Sequence, residues 1–339
     1  MLNKLLYLII FIISLVCFTQ TLLIGSFIFG KSNECSQIIK KTMIDVFPSI
    51  YQKGLNSPIF YSGEYKCSNK IDIVMCNHIN TFDFMIYLSI IREYDDRDIY
   101  FIAKKSLIFV PGIGAVFASN NDFRLNRNID DDKKNIISTI KKIKKTGRSS
   151  IIIMLPEGTR YTPKKYNASI QFCKENNLHQ FNNILYPKMK GLWIVCNSLI
   201  EENCMGNIID VSTVIENMRK CEGYIKDTLT KKLGNTLSVV TTYNVPIDGM
   251  IMEYNNFKNW FIEIWKNKDN ILDNMLTKND INIYKKVDCN IKYSTYIIFV
   301  LTISLFCYLI YSTNGIYIPV SFLITTIIGI VSFNNKIKM

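Results

Sequence analysis

The chain has 339 residues and 48% hydrophobic content, enough for one large domain or two ordinary ones with a sizeable core. An excess of 40 Lys and Arg over 28 Asp and Glu leaves a formal charge of +12, which suits a domain lying against anionic lipid or handling phosphate-bearing substrates. Nucleic acid fits the charge but no recognition motif accompanies it, and the ten cysteines and two histidines (His78, His179) are not spaced as a disulfide framework or metal site.

The first element is an uncharged run from Leu5 to Gly30, longer than the ~20 residues that span a hydrocarbon core and lacking a small-x-small cleavage site. It is expected to be a membrane anchor, with residues 1–30 as its domain. An α/β domain is expected over 31–285, its core motifs within 71–190, because short β-branched runs alternate with helical patterns. The strand candidates are Ile71 to Cys76, Asp98 to Lys105, Ser149 to Leu155, Leu192 to Cys196 and Leu237 to Val245. Between them, "DDDKKNIISTIKKIKK" predicts a helix with Asp130 to Asp132 at its N-terminus and Lys141 to Lys145 at its C-terminus. Both ends suit the helix dipole, and Ile136, Ile140 and Ile143 form a buried stripe. "NFKNWFIEIWKNK" predicts an amphipathic helix whose Trp260, Phe261, Ile264 and Trp265 pack on the core or lie in the lipid interface.

Two further apolar runs, from Tyr293 and from Gly315 and separated by "TNG", predict a transmembrane hairpin over 293–333 with Pro319 near a helix start. Lys31, Lys40 and Lys41 follow the first run, whereas only Lys4 precedes it; Lys285, Lys286 and Lys292 precede the hairpin, and Lys336 and Lys338 follow it. By the positive-inside rule the stretch between the anchors faces the cytosol. An integral protein of the endoplasmic reticulum or another internal membrane is the expectation.

Three stretches carry chemistry. In "CNHINTFDF", His78 precedes Asp83 by five residues, ~500° of rotation on a regular helix, so the two meet only across a turn. A strand ending near Asn77, a turn over His78 to Asn80 and a helix from Thr81 would bring them together at a strand's C-terminal edge, where α/β folds place ligands. A plain helix start, with Asn80 as N-cap and Asp83 at N3, accounts for the same residues. In "LPEGTR" a carboxylate, a glycine, a hydroxyl and a guanidinium leave one buried strand together, suiting a phosphate or a polyol, or merely a turn with a surface ion pair. In "KKSLIFVPGIGAVFASNNDFRLNRNIDDD", Pro111, Gly112 and Gly114 make a turn, and Arg127 pairs with Asp130 to Asp132 or faces a phosphate.

In this order the three stretches resemble the 1-acylglycerol-3-phosphate acyltransferase family of glycerolipid acyltransferases. Its first motif matches Asn77, His78 and Asp83, its second Phe123 and Arg127, and its third Glu157, Gly158, Thr159 and Arg160. A fourth, proline-centred motif matches "NILYPKMKGL" around Pro187 more loosely, with Lys188 where the family often has arginine. "KKSLIFVPGIG" and the C-terminal apolar spans are similar to the long-chain and lysocardiolipin-type branch, although Ala115 replaces that branch's tryptophan.

The resemblance implies a membrane-bound enzyme moving an acyl chain from acyl-CoA, as co-substrate, to the free hydroxyl of a lysophospholipid, lysophosphatidate first. His78 would be the general base and Asp83 its orienter, following the logic of the hydrolase triad. It assigns Arg127, Glu157, Gly158 and Arg160 to the acceptor's glycerol phosphate, with Asn77, Phe123, Thr159 and Pro187 completing the substrate site. The expected partners are acyl-CoA, the acceptor and the bilayer, with no cofactor, metal or nucleic acid. Two other readings stay open: Cys76 as an acylated nucleophile, and a catalytically inactive protein that binds or tethers lipid.

Overall fold

The computed structural model describes residues 49–109, 123–126, 128–218, 233–246, 253–278 and 281–288, with isolated positions 41, 42, 45, 46, 227, 228, 304, 308, 311 and 312. The anchor expected at Leu5 to Gly30 and nearly all of the hairpin expected at 293–333 lie outside them. Among the described residues no helix is long and apolar enough to cross a membrane.

The strands are β1 (Ile59–Gly63), β2 (Ile71–Cys76), β3 (Asp98–Lys104), β4 (Phe123–Leu125), β5 (Ser150–Met154), β6 (Met205–Ile215), β7 (Thr236–Tyr243) and β8 (Lys285–Lys286). They form one sheet in the order β4-β3-β5-β2-β6-β7-β1-β8. From β4 to β6 the neighbours run parallel; β7 is antiparallel to β6, β1 parallel to β7, and β8 antiparallel to β1. The helices are α1 (Asp83–Arg92), α2 (Ile129–Lys145), α3 (Pro163–Glu175), α4 (Met189–Glu201) and α5 (Tyr254–Lys278).

Apolar clusters cover both faces, which is why β2 and β5 are buried along their whole length, as expected of parallel strands under helices. Period-2 alternation sends Val74 and Cys76 toward α1, with Met85, Ile86 and Ile90. It sends Ile71, Ile73 and Met75 toward α2, α4 and α5, with Ile136, Ile140, Leu192, Phe261 and Trp265. α2 carries the capped, dipole-matched ends read from its sequence, Asn128 accepting from the Asp130 N–H at 3.1 Å.

The segment Leu192 to Cys196, expected as a strand, lies inside α4. An apolar run this short fits either element, and the buried positions Met189, Leu192, Val195, Cys196 and Leu199 recur at helical spacing once its neighbours are included. Strands β1, β4, β6 and β8 were not expected. β6 reads "MGNIIDVSTVI", and its glycine, asparagine and buried polar residues hide the pattern of a strand enclosed on both faces.

Candidate active site

β2 ends at Cys76 and α1 begins at Asp83, so Asn77 to Phe82 form a tight connection at the strand's C-terminal edge. His78 Nδ1 lies 2.9 Å from Asp83 Oδ2. Asp83 is buried, whereas the His78 side chain keeps 24% of its surface accessible. A carboxylate offers only lone pairs, so Nδ1 carries the proton and the lone pair of a neutral ring sits on Nε2. Asp83 also accepts from the backbone N–H groups of Ile79 at 2.7 Å and Asn80 at 2.9 Å. It therefore holds the histidine and the incoming chain at once, but the helix start with Asn80 as N-cap and Asp83 at N3 does not form: the N-cap is Phe82 and Asp83 is the first helical residue. The helix starts two residues later than expected, while Asn80 Oδ1 accepts from the Phe82 N–H at 2.9 Å.

The backbone of His78 is gripped from the loop leaving β5. Its N–H donates to Glu157 Oε1 at 2.8 Å, and its carbonyl accepts from the Tyr161 N–H at 2.6 Å. Glu157 is buried, and its second oxygen accepts from the Leu185 N–H at 3.1 Å. Both oxygens thus hold the protein's own backbone, where the resemblance implies a carboxylate for the acceptor's glycerol phosphate. Desolvation pushes its pKa up to about 7, against the two backbone N–H bonds and the nearby His78 and Lys268, which lower it.

Asn77 likewise holds backbone. Its Nδ2 donates to the Thr213 carbonyl at 2.9 Å and its Oδ1 accepts from the Thr213 N–H at 2.8 Å, so the amide ties the end of β2 to β6. The Tyr87 hydroxyl donates to the Asn77 carbonyl. Phe123 is buried in the α2-side core, and not at the site, while Arg127 lies outside the described residues. Cys76 is fully buried, and burial pushes its thiol well up, which disfavours the thiolate an acylated nucleophile would need.

Gly158 turns the loop with φ +64°, and a Cβ there would meet Lys188 Cδ at 2.9 Å. Lys188 therefore lies across the glycine, held by its N–H to the Pro156 carbonyl at 2.7 Å, and Pro187 before it is buried. Arg160 Nη1 donates to Thr81 Oγ1 at 2.7 Å, which brings the guanidinium beside the histidine turn. Lys165 Nζ donates to Thr159 Oγ1 at 2.6 Å and to the Arg160 carbonyl at 3.3 Å. Lys165 and Lys188 thus lie against this loop and Arg160 reaches the histidine turn through Thr81, an arrangement able to hold an anion while a proton is taken from a neighbouring hydroxyl. Lys165 and Thr81 were missed from sequence as site residues: Lys165 lies five residues past the third motif, and Thr81 lies inside the first at a position its pattern leaves unspecified.

The α/β sheet thus carries a histidine–aspartate pair on one strand-to-helix turn, with a glycine loop and its neighbouring cations beside it. Residues 59–191 match the Acyltransferase family model. The chain is 24% identical over 176 residues to a probable 1-acyl-sn-glycerol-3-phosphate acyltransferase 5 of Arabidopsis thaliana, covering 51% of this chain and 47% of that protein. It is 26% identical over 146 residues to human 1-acyl-sn-glycerol-3-phosphate acyltransferase delta, covering 43% and 38%, and 21% identical over 189 residues to lysocardiolipin acyltransferase 1 of Gallus gallus, covering 55% and 50%. The chain spans about half or less of the length of these relatives. Its fold is similar to that of the 1-acyl-sn-glycerophosphate acyltransferase PlsC of Thermotoga maritima, with TM-score 0.51 and 17% identity, over 80% of this chain and 96% of that one.

Proposed function

We propose that the protein transfers an acyl chain from acyl-CoA to the free hydroxyl of a lysophospholipid, lysophosphatidate first among acceptors. One observation carries the proposal: the 2.9 Å His78–Asp83 contact, with Arg160 brought to the same turn through Thr81. A glycerol hydroxyl is a poor nucleophile near neutral pH, and Nε2 of His78 supplies the base. As the hydroxyl oxygen attacks the thioester carbonyl, its proton passes to Nε2, and Asp83 stabilises the imidazolium. Collapse of the tetrahedral adduct breaks the carbon–sulfur bond, and the imidazolium returns the proton to the departing CoA sulfur. Arg160, with Lys188 and Lys165 nearby, holds the acceptor phosphate; Arg127 belongs to the same assignment by family resemblance. Glu157 and Asn77 act by holding the backbone.

The apolar runs 5–30 and 293–333 belong to the same proposal as a membrane anchor and hairpin that keep the site beside lipid acceptors, with the catalytic domain in the cytosol. The deeply buried thiol of Cys76 favours direct transfer over an acyl-enzyme, and the coupled His78–Asp83 pair favours an enzyme over an inactive lipid tether. The test is transfer of radiolabelled acyl-CoA to lysophosphatidate by membranes holding the protein or His78→Ala. Loss of at least ~100-fold is expected. Equal turnover by His78→Ala, or a trapped thioester on Cys76, overturns it.

A further inference from the structure

Three side chains on one face of α5, at i, i+3 and i+4, are buried and polar: Trp265, Lys268 and Asp269. The helix lies beyond the matched segment 59–191, yet each of the three fastens it to the machinery around His78. Lys268 Nζ donates to Asp210 Oδ1 at 2.9 Å and to the Val211 carbonyl at 3.0 Å on β6, where Val211 is in register with Cys76 at the end of β2. Asp269 accepts from the backbone N–H groups of Asn182 at 2.8 Å and Asn183 at 2.7 Å. Trp265 Nε1 donates to the Leu185 carbonyl at 3.1 Å. Leu185 in turn donates to Glu157 Oε2, and Glu157 Oε1 takes the N–H of His78.

We infer that Trp265 and Asp269 are positioning residues for His78, acting through the 182–185 segment and Glu157. The inference rests on the proposed role of His78 as base. The chain of contacts has a physical reason to transmit. A buried carboxylate held between two N–H donors stays in place only while both remain, because neither oxygen has water to turn to. If Leu185 drifts, Glu157 turns to recover a partner, and the His78 N–H loses its acceptor. The imidazole then sits differently against the acceptor hydroxyl, which general-base catalysis does not tolerate. The 182–185 segment has no strand or helix ladder of its own, so its placement depends on these side-chain contacts.

The experiment uses the full-length protein in detergent micelles, with Trp265→Phe, which keeps the stack on Phe261, and Asp269→Asn, which keeps the volume. Because the chain has only two histidines, selective ¹⁵N-histidine labelling yields two backbone amide signals, and His78→Ala assigns them. Hydrogen exchange at the His78 amide is expected to speed up at least ~10-fold in both variants while far-UV circular dichroism stays at wild type. With acyl-CoA and lysophosphatidate, kcat should fall ~5- to 50-fold with both KM values nearly unchanged. In a Glu157→Gln background the further loss should shrink to less than about twofold, since the relay is already cut. An unchanged His78 amide, or losses that multiply fully with Glu157→Gln, overturns the inference; a variant that does not fold leaves the decision to the other one. If wild type transfers no acyl group, the enzymatic reading fails, while the amide measurement still decides the relay.

Discussion

Replacing Asp83 with Asn keeps the size of the side chain and removes its charge and half of its acceptor capacity. The carboxylate takes the His78 Nδ1–H at 2.9 Å, the Ile79 N–H at 2.7 Å and the Asn80 N–H at 2.9 Å, and it is buried. An amide turned to keep its oxygen toward Ile79 and His78 points its NH2 at Asn80, and the opposite turn forces the imidazole to present a lone pair from Nδ1. The first choice leaves a buried donor unmatched at ~1–3 kcal/mol, and the second puts the proton on Nε2, where it blocks the base. A hydrogen bond to a charged group contributes ~1.5–3 kcal/mol, or ~10- to 150-fold in rate, and a wrong tautomer in a comparable triad costs up to ~10⁴-fold. Asp83→Asn should therefore lower kcat/KM by ~10²- to 10⁴-fold with a stability loss of a few kcal/mol at most. Acyl-CoA consumption is followed by thiol release, with thermal melting as the control for folding. A folded variant within about threefold of wild-type kcat/KM would refute the assignment of Asp83 as the group that sets the imidazole.

Glu157→Gln tests the buried carboxylate by pH. With the folded pKa raised from 4.5 to about 7, the native state binds more protons than the unfolded chain between those values, so this group's contribution is full below about 4.5 and is lost as pH rises through about 7. Chemical denaturation should show a pH-dependent loss of up to about 3 kcal/mol over that window in wild type that Glu157→Gln lacks. Lys268→Met leaves Asp210 without its cation in the interior and should cost ~3–5 kcal/mol, read from the denaturant midpoint, whereas Lys268→Met with Asp210→Leu should recover most of it. Arg160→Ala should raise the KM for lysophosphatidate ~10- to 100-fold and change the acyl-CoA KM much less, with Arg160→Lys recovering only part; wild type using monoacylglycerol as well as lysophosphatidate, with Arg160→Ala discriminating between the two no differently, would remove the phosphate-holding role.

Features that depend on neighbours in the chain were legible without the fold. His78 and Asp83 are separated by one turn, so their meeting is a local event, and "LPEGTR" carries its own glycine at the position whose φ is +64°. The ends of α2 are local in the same sense, since dipole and cap act within one helix. The buried faces of β2, β5 and α2 were visible as periodic apolar runs.

What only the tertiary structure decided is the work of polar groups whose partners lie far along the chain. Asn77 and Glu157 look like substrate ligands from sequence, because a motif shows a residue's chemistry but not which lone pairs are already taken. Thr213, Leu185 and the His78 backbone take them, at separations of 136, 28 and 79 residues. The "LWIVC" run becomes helix because the shape of the space beside β5 and α2 settles what an ambiguous apolar segment cannot. Likewise Trp265, Lys268 and Asp269 read only as one side of an amphipathic helix until packing against β6 and the 182–185 segment gives each a partner. Burial makes those choices: once water is excluded, each polar group must find a partner inside the fold, and which partner stands opposite is a property of the assembled sheet and helices.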